Sequence, residues 1–324
     1  MHPRQASRVT HSSRDHGGGL DAAARRFGGA RGDWIDLSTG INPAPFPLPP
    51  LSADSWTALP DSAAQDALVS AARQHWNVPP QADVLATPGA SAPIAMLPTL
   101  RPAGRVAIAA RTYNEHAAAF TGAGWQITAP GQTAQACVLV NPNNPDGCRY
   151  TARDLHGSLR IIDESFGDVT PDTTLMAQAT TPGTVILKSF GKFWGLAGLR
   201  LGFVIGDPAV VGPLRARLGP WPVAGPALEI GRAALADTRW ADETRQTLHR
   251  DAQRLDALVT GAGAQGAGGT DLFRLYRVDD AAAWQNRLAR HHIWSRVFPY
   301  DPTWLRLGLP PRTGWERLER ALPR

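Results

Sequence analysis

Lysine is almost missing from this sequence. Lys and Arg together account for 33 of 324 residues, and only Lys188 and Lys192 are lysine. Abundant Ala, Gly and Pro point to a GC-rich coding bias, which explains the general shortage but not the two survivors, four residues apart. Cysteine is as scarce. Cys137 and Cys148 are too few for a disulfide framework, and Cys137 lies in the apolar run ACVLV, where packing is the expected role. A reducing cytoplasm is the expected compartment. No stretch approaches the roughly 18–20 apolar residues that a membrane span needs, and the leader MHPRQASRVTHSSRDHGGG has no apolar segment of the signal-peptide kind. No membrane association or export is expected. Runs of basic residues are absent as well: the formal charge of +5 is dispersed, with no zinc-finger or RNP-type pattern. Nucleic acid is therefore not an expected partner, and a small anionic molecule is.

What is present is enough apolar residue, 43% of the chain, for a large core. Short apolar runs (RVAIAA, ACVLV, LRIIDES, TVILKSF, LRLGFVIG) alternate with longer helical patterns. That rhythm predicts an α/β fold with a mainly parallel sheet covered by helices, and functional groups at the carboxyl ends of its strands. Proline and glycine rise around LGPWPVAGPALEIG, which sets an expected boundary near Pro220. The expected organisation is an N-terminal arm and substrate-binding segment over 1–45, a large domain over 46–220 and a small α+β domain over 221–324. INPAPFPLPPL reads as an extended connector, Asp237–Leu258 as one amphipathic helix, and GAGAQGAGG as a flexible loop.

Arginine can replace lysine in a surface ion pair but not as an imine-forming nucleophile, because its guanidinium stays protonated. A catalytic amine must remain lysine, and the commonest carbonyl cofactor for such an amine is pyridoxal phosphate. Taken alone, either lysine could equally be a residual surface charge.

Ser189 precedes Lys192 by three residues, and GLAGLR ends at Arg200. Here the chain resembles the class I/II, or fold-type I, pyridoxal-phosphate aminotransferases, whose S-x-x-K and G-L-A-G-L-R-x-G pattern matches Ser189, Lys192 and Gly195 through Gly202. The resemblance implies that Lys192 carries the cofactor, that Ser189 and Arg200 bind its phosphate, and that Lys188 is an accessory charge. NPNNPDG resembles the family's N-P-x-G turn, with Asn144 toward the cofactor's 3-oxygen, and Asp163 in IIDES matches the aspartate that pairs with the pyridine nitrogen. Gly89, Ala90 and Ser91 stand at an expected helix start suited to a phosphate. Tyr113 matches the aromatic that stacks on the ring, and Arg306 in WLRLGLP the arginine that clasps a substrate carboxylate. A homodimer is implied by the resemblance alone.

Three features narrow the choice within the family. DHGGGLDAAARRFG followed by WIDLSTGINPAP resembles the opening of the L-threonine O-3-phosphate decarboxylases of cobalamin synthesis, with His16, Gly17, Gly18 and Asn42 matching. Phe166 stands in DESF where aminotransferases carry a tyrosine, removing a hydroxyl donor. Arg296 in IWSR matches an arginine that phosphate-recognising relatives use. The resemblance thus implies substrate binding by His16, Gly17, Asn42, Arg296 and Arg306, and catalysis by Lys192 and Asp163. Histidinol-phosphate aminotransferases share most of these motifs and are the rival expectation. Leu59, where relatives place a tyrosine reaching the other subunit, and Gly40, in place of an asparagine, depart from the pattern.

Overall fold

The structure, a computed structural model, describes residues 16–323, so the leader before His16 lies outside the described residues. A short strand β1 (Ile35–Asp36) comes first. Seven strands then form the central sheet: β2 (Asp83–Thr87), β3 (Arg105–Ile108), β4 (Gln126–Thr128), β5 (Ala136–Val140), β6 (Leu159–Asp163), β7 (Thr184–Ser189) and β8 (Gly202–Gly206). Their order is β2-β8-β7-β6-β5-β3-β4. The pairs from β7 to β4 are parallel, while β8 runs antiparallel to both β7 and β2. The five runs expected as strands are β3, β5, β6, β7 and β8, and the sheet is mainly parallel as expected. The chain reverses between β7 and β8 because residues 190–201 return without a covering helix, and this return carries Lys192.

Both faces of the sheet are covered, which is why ACVLV can be apolar at every position: all five of its residues are buried. Alternation along β6 and β7 sends Ile161, Val185 and Leu187 into one apolar cluster and Ile162 and Ile186 into the other. The same alternation divides the polar residues at the strand ends.

The second sheet is antiparallel, in the order β12-β13-β10-β9, from β9 (Gln265–Thr270), β10 (Phe273–Arg277), β12 (Arg296–Phe298) and β13 (Asp301–Gly308). Strand β11 (Ile293–Trp294) pairs in parallel with β1, so the N-terminal segment joins the C-terminal part of the fold. The long helix spans Thr238–Gly261, close to expectation. Helix Gly225–Ala236, on the C-terminal side of the expected boundary, packs against helix Ser62–His75 beside the large sheet.

The expected flexible loop GAGAQGAGG is wrong, because its second half is strand β9. The glycines serve close approach instead. A Cβ on Gly268 would stand 2.1 Å from the Asp146 carbonyl oxygen, and the Gly269 N–H donates to that same oxygen at 2.8 Å. Gly268 also has φ +135°, which side chains rarely adopt. Strand β9 is thereby pinned to the Asn143–Gly147 turn beside the site.

Candidate active site

Strands β5, β6 and β7 end side by side, and their last residues face one cavity of about 220 Å³. Lys192, Asp163, Asn144, Tyr113, Ser189 and Arg200 line it. Lys192 is held by the return from β7: its carbonyl accepts from the Asn42 N–H at 3.0 Å and from the Gly195 N–H at 3.1 Å. Its ammonium donates to the Thr39 carbonyl at 3.4 Å and stands 5.1 Å from the Phe166 ring centre. Burial, and then the Arg306 charge, lower its pKa to about 8 against the opposing pull of Asp163 and Asp36. A pKa near 8 leaves a minority of this amine neutral near physiological pH, far more than for an ordinary lysine, and the neutral form is the one a nucleophile requires.

Asp163 is buried on the cavity side of β6. Desolvation alone would raise its pKa, but His116 Nε2 at 2.8 Å and the Ser165 N–H at 2.9 Å outweigh burial and hold the carboxyl below its ordinary value. Asp163 is therefore an anion at neutral pH. Tyr113, the residue before helix Asn114–Gly122, forms a wall, its ring edge-on to His116 at 6.0 Å. Ala90, Ser91, Ser189 and Arg200 also line the cavity. Gly89 makes the approach of Arg200 possible: it has φ +76°, and a Cβ there would lie 2.7 Å from Arg200 Nη2. An anion-receiving pole, an aromatic wall, a buried carboxylate and a neutralisable amine together fit pyridoxal phosphate. Among the described residues, no group of three or more His, Cys, Asp or Glu side chains could hold a metal ion.

A second cavity of about 320 Å³ adjoins the first through Tyr113 and Asn144, and is lined by His16, Gly17, Arg296, Tyr300 and Arg306. Arg296 and Arg306 are directly opposed on β12 and β13, so two guanidinium groups project from one face of the sheet. Like charges so placed are destabilising unless an anion lies between or beside them. Arg306 is 4% exposed and binds the Ser38 carbonyl and Asn144 Oδ1, while its buried Nε has no hydrogen-bond partner among the described residues. Burial and the Arg296 charge push its pKa down. The uncommitted N–H and strained charge suit a carboxylate. Arg296 Nη1 donates to the His16 carbonyl at 2.7 Å, and His16 Nε2 lies 2.9 Å from Glu115. The arm is seated by Gly17, where a Cβ would meet the Ser38 carbonyl oxygen at 2.4 Å, and by Gly18, whose N–H donates to Ser38 Oγ at 2.6 Å.

Two assignments read differently in the structure. Asn42 lines neither cavity: its Nδ2 donates to the Phe193 carbonyl at 2.8 Å and its Oδ1 accepts from the Ala44 N–H at 2.9 Å. With both ends of the amide committed to backbone, it braces the Lys192 loop. Lys188 is no loose accessory charge, being buried on the far side of β7 within 2.8 Å of Glu164 and 3.4 Å of Asp168. Two contributors were not singled out from sequence, His116 and Ser38. His116 follows Tyr113 by one helical turn in TYNEH, the only signal that could have flagged it.

The class I and II aminotransferase family profile matches residues 33–324. The chain is 42% identical to a threonine-phosphate decarboxylase of Sinorhizobium sp., over 95% of this chain and 97% of that one. It is 39% identical to a threonine-phosphate decarboxylase of Pseudomonas aeruginosa, again over 95% and 97%. Among solved structures, a histidinol-phosphate aminotransferase from Sinorhizobium meliloti in complex with pyridoxal-5'-phosphate superposes with a TM-score of 0.80, at 19% identity, over 99% of this chain and 98% of that one.

Proposed function

This chain belongs to the class I and II aminotransferases, and from that premise we propose that it is a pyridoxal-phosphate enzyme that decarboxylates L-threonine O-3-phosphate. Its product is (R)-1-amino-2-propanol O-2-phosphate, for the nucleotide loop of cobalamin. The observation that carries this reading beyond the family is the opposed pair Arg296 and Arg306, one flanked by the His16 arm and the other with a free buried N–H. Two cationic subsites a strand apart match a substrate with a carboxylate at one end and a phosphate at the other. Similarity to two threonine-phosphate decarboxylases over nearly the whole chain supports the same choice.

When bound, pyridoxal phosphate supplies a sink for the electron pair released as the Cα–carboxylate bond breaks. Arg306 grips the carboxylate through paired N–H donors and fixes the bond that is to break. Arg296 and the backbone of the His16–Gly17 arm hold the phosphate. Asp163, kept anionic by His116 and Ser165, would hold the cofactor's pyridine nitrogen in its protonated form. Ala90, Ser91, Ser189 and Arg200 would hold the cofactor's phosphate, with Tyr113 and Asn144 lining the same cavity to hold its ring. Once CO₂ has left, Lys192 gives a proton to Cα as general acid, a role typically contributing about 10²–10⁴-fold. Phe166, buried where relatives offer a phenol, donates no hydrogen bond to the 3-oxygen.

We place the working enzyme in the cytoplasm as a homodimer. Cys137 and Cys148 are both free, and no helix among the described residues is long and apolar enough to cross a membrane. Leu48, Trp56, Leu59 and Trp221 are large apolar side chains left exposed, suited to a second copy of the chain. The test of the reaction is CO₂ release from L-threonine O-3-phosphate without a keto acid. Turnover of histidinol phosphate that depends on 2-oxoglutarate would replace this reading with the aminotransferase one.

A further inference from the structure

The alternation that points Asp163 and Ser189 into the cofactor cavity points their neighbours Glu164 and Lys188 to the other side of the sheet. There the two meet inside the core, Lys188 Nζ lying 2.8 Å from Glu164 Oε2 and 3.4 Å from Asp168 Oδ1. Lys188 is 2% exposed, and Trp76 lies beneath it, with the ring centre 5.5 Å from the ammonium. Every member is engaged. Glu164 accepts from Thr174 Oγ1 and the Leu175 N–H, each at 2.7 Å. Asp168 accepts from Trp76 Nε1 at 2.8 Å and from Trp194 Nε1 at 3.0 Å, and its carbonyl accepts from Arg245 Nε at 2.8 Å.

The bonding pattern joins the segments that present the chemistry. Glu164 is the residue after Asp163, and Trp194 lies two residues beyond Lys192. Trp194 is fully buried and stacks on Phe190 at 5.2 Å and Trp240 at 5.4 Å, so its indole fixes the Lys192 loop. Lys188 and Asp168 thus complete a closed path: Asp163–Glu164, across the ammonium to Asp168, through the Trp194 indole to the loop, and back along the chain to Lys192. A packed apolar core could supply equal stability without three buried charges, so stability alone does not account for the cluster. What charged hydrogen bonds add is directional fixing. Because Lys192 feels mainly Arg306, Asp163, Asp36 and Arg200, the cluster acts on it through geometry rather than field.

We propose that Lys188 is a positioning residue: clamped between Glu164 and Asp168, it sets the separation and orientation of Asp163 and Lys192 on the opposite side of the sheet. The inference rests on the assignment of those two residues to the cofactor. It answers why a chain with two lysines spends one of them in its core: a single compact ammonium satisfies both carboxylates where β7 leaves the sheet.

The test uses the cofactor-loaded enzyme and three variants, Lys188→Met, Trp194→Phe and Lys188→Arg. Each is assayed well below its melting temperature, with kcat expressed per bound cofactor, and with the visible absorption and induced circular dichroism of the bound cofactor, which report its orientation. The expected result for Lys188→Met is a kcat lower on the order of 10²-fold, the consequence of a shift of about 1 Å at the reacting groups. KM changes little, the induced dichroism changes, Trp194→Phe moves the same way less far, and Lys188→Arg recovers most of the loss. Wild-type kcat and an unchanged dichroic band in folded Lys188→Met, with only a lower melting temperature, would overturn the proposal. Should Lys188→Met not fold, Trp194→Phe decides on the same readouts. A wild-type protein that binds no cofactor through Lys192 would overturn both this inference and the reading beneath it.

Discussion

An arginine at position 192 would keep the charge and lose the chemistry. Lys192→Arg and Lys192→Ala should both abolish CO₂ release, by at least the roughly 10²–10⁴-fold expected of a lost general acid, while leaving the fold intact by circular dichroism. The amine's pKa of about 8 gives a second check. Only the neutral amine attacks the cofactor's aldehyde, so the rate of cofactor capture by the apoprotein should climb with pH up to about 8 and then level. A rate still climbing at pH 9.5 would mean that the amine titrates like an ordinary lysine. At the substrate end, Arg306→Lys replaces a two-pronged donor by a point charge. A lost charge-assisted hydrogen bond of about 1.5–3 kcal/mol predicts a fall in kcat/KM of about 10- to 100-fold, measured by initial rates. That these residues line the cavities was legible in the sequence because the proposed chemistry restricts the residue type: only lysine forms an imine and only arginine offers the fork. His116 was not, since its role arises only when β6 carries Asp163 to within 2.8 Å of a residue 47 positions earlier. The backbone bonds of Asn42 were hidden for a related reason: an amide can serve a ligand or a backbone equally well, and the Phe193 and Ala44 backbone that binds it is set by the tertiary fold.

Strand β9 shows what element-level reading misses. Its composition, QGAGGT, is that of a linker, and nothing local distinguishes a glycine kept for mobility from one kept because another backbone passes 2.1 Å from where its Cβ would be. The apolar strands β5, β6, β7 and β8 were legible because burial on both faces leaves an uninterrupted hydrophobic run, whereas β4, with Gln126 and Ile127 exposed, offers no such run. Gly268→Ala should therefore destabilise the protein by about 1–3 kcal/mol through its strained φ, and by more through the Asp146 contact, read as a lower urea midpoint at unchanged m-value. A midpoint equal to wild type would return the segment to the status of a loop.

At the scale of the whole molecule, the exposed Trp56 and Leu59 are 70% and 68% accessible, far more than large apolar side chains on a stable monomer surface need be. Helix Asp54–Thr57 packs on helix Gly225–Ala236, so this apolar surface is rigidly carried by the body of the fold. The proposed homodimer predicts a molar mass by sedimentation equilibrium of about twice the chain mass at micromolar concentration, and a shift toward monomer in Trp56→Asp. The same scale joins the two cationic subsites to the cofactor cavity, for Arg306 and Asn144 reach across from the second sheet to the first. On the proposed reading, that junction serves one substrate, anionic at both ends, in front of one amine. The most direct test mixes the cofactor-loaded enzyme with L-threonine O-3-phosphate, without any keto acid, and follows CO₂ and the phosphorylated amino alcohol together. The account predicts catalytic, equimolar release of both, lost in Lys192→Ala. No CO₂, with 2-oxoglutarate-dependent turnover of histidinol phosphate instead, would contradict it.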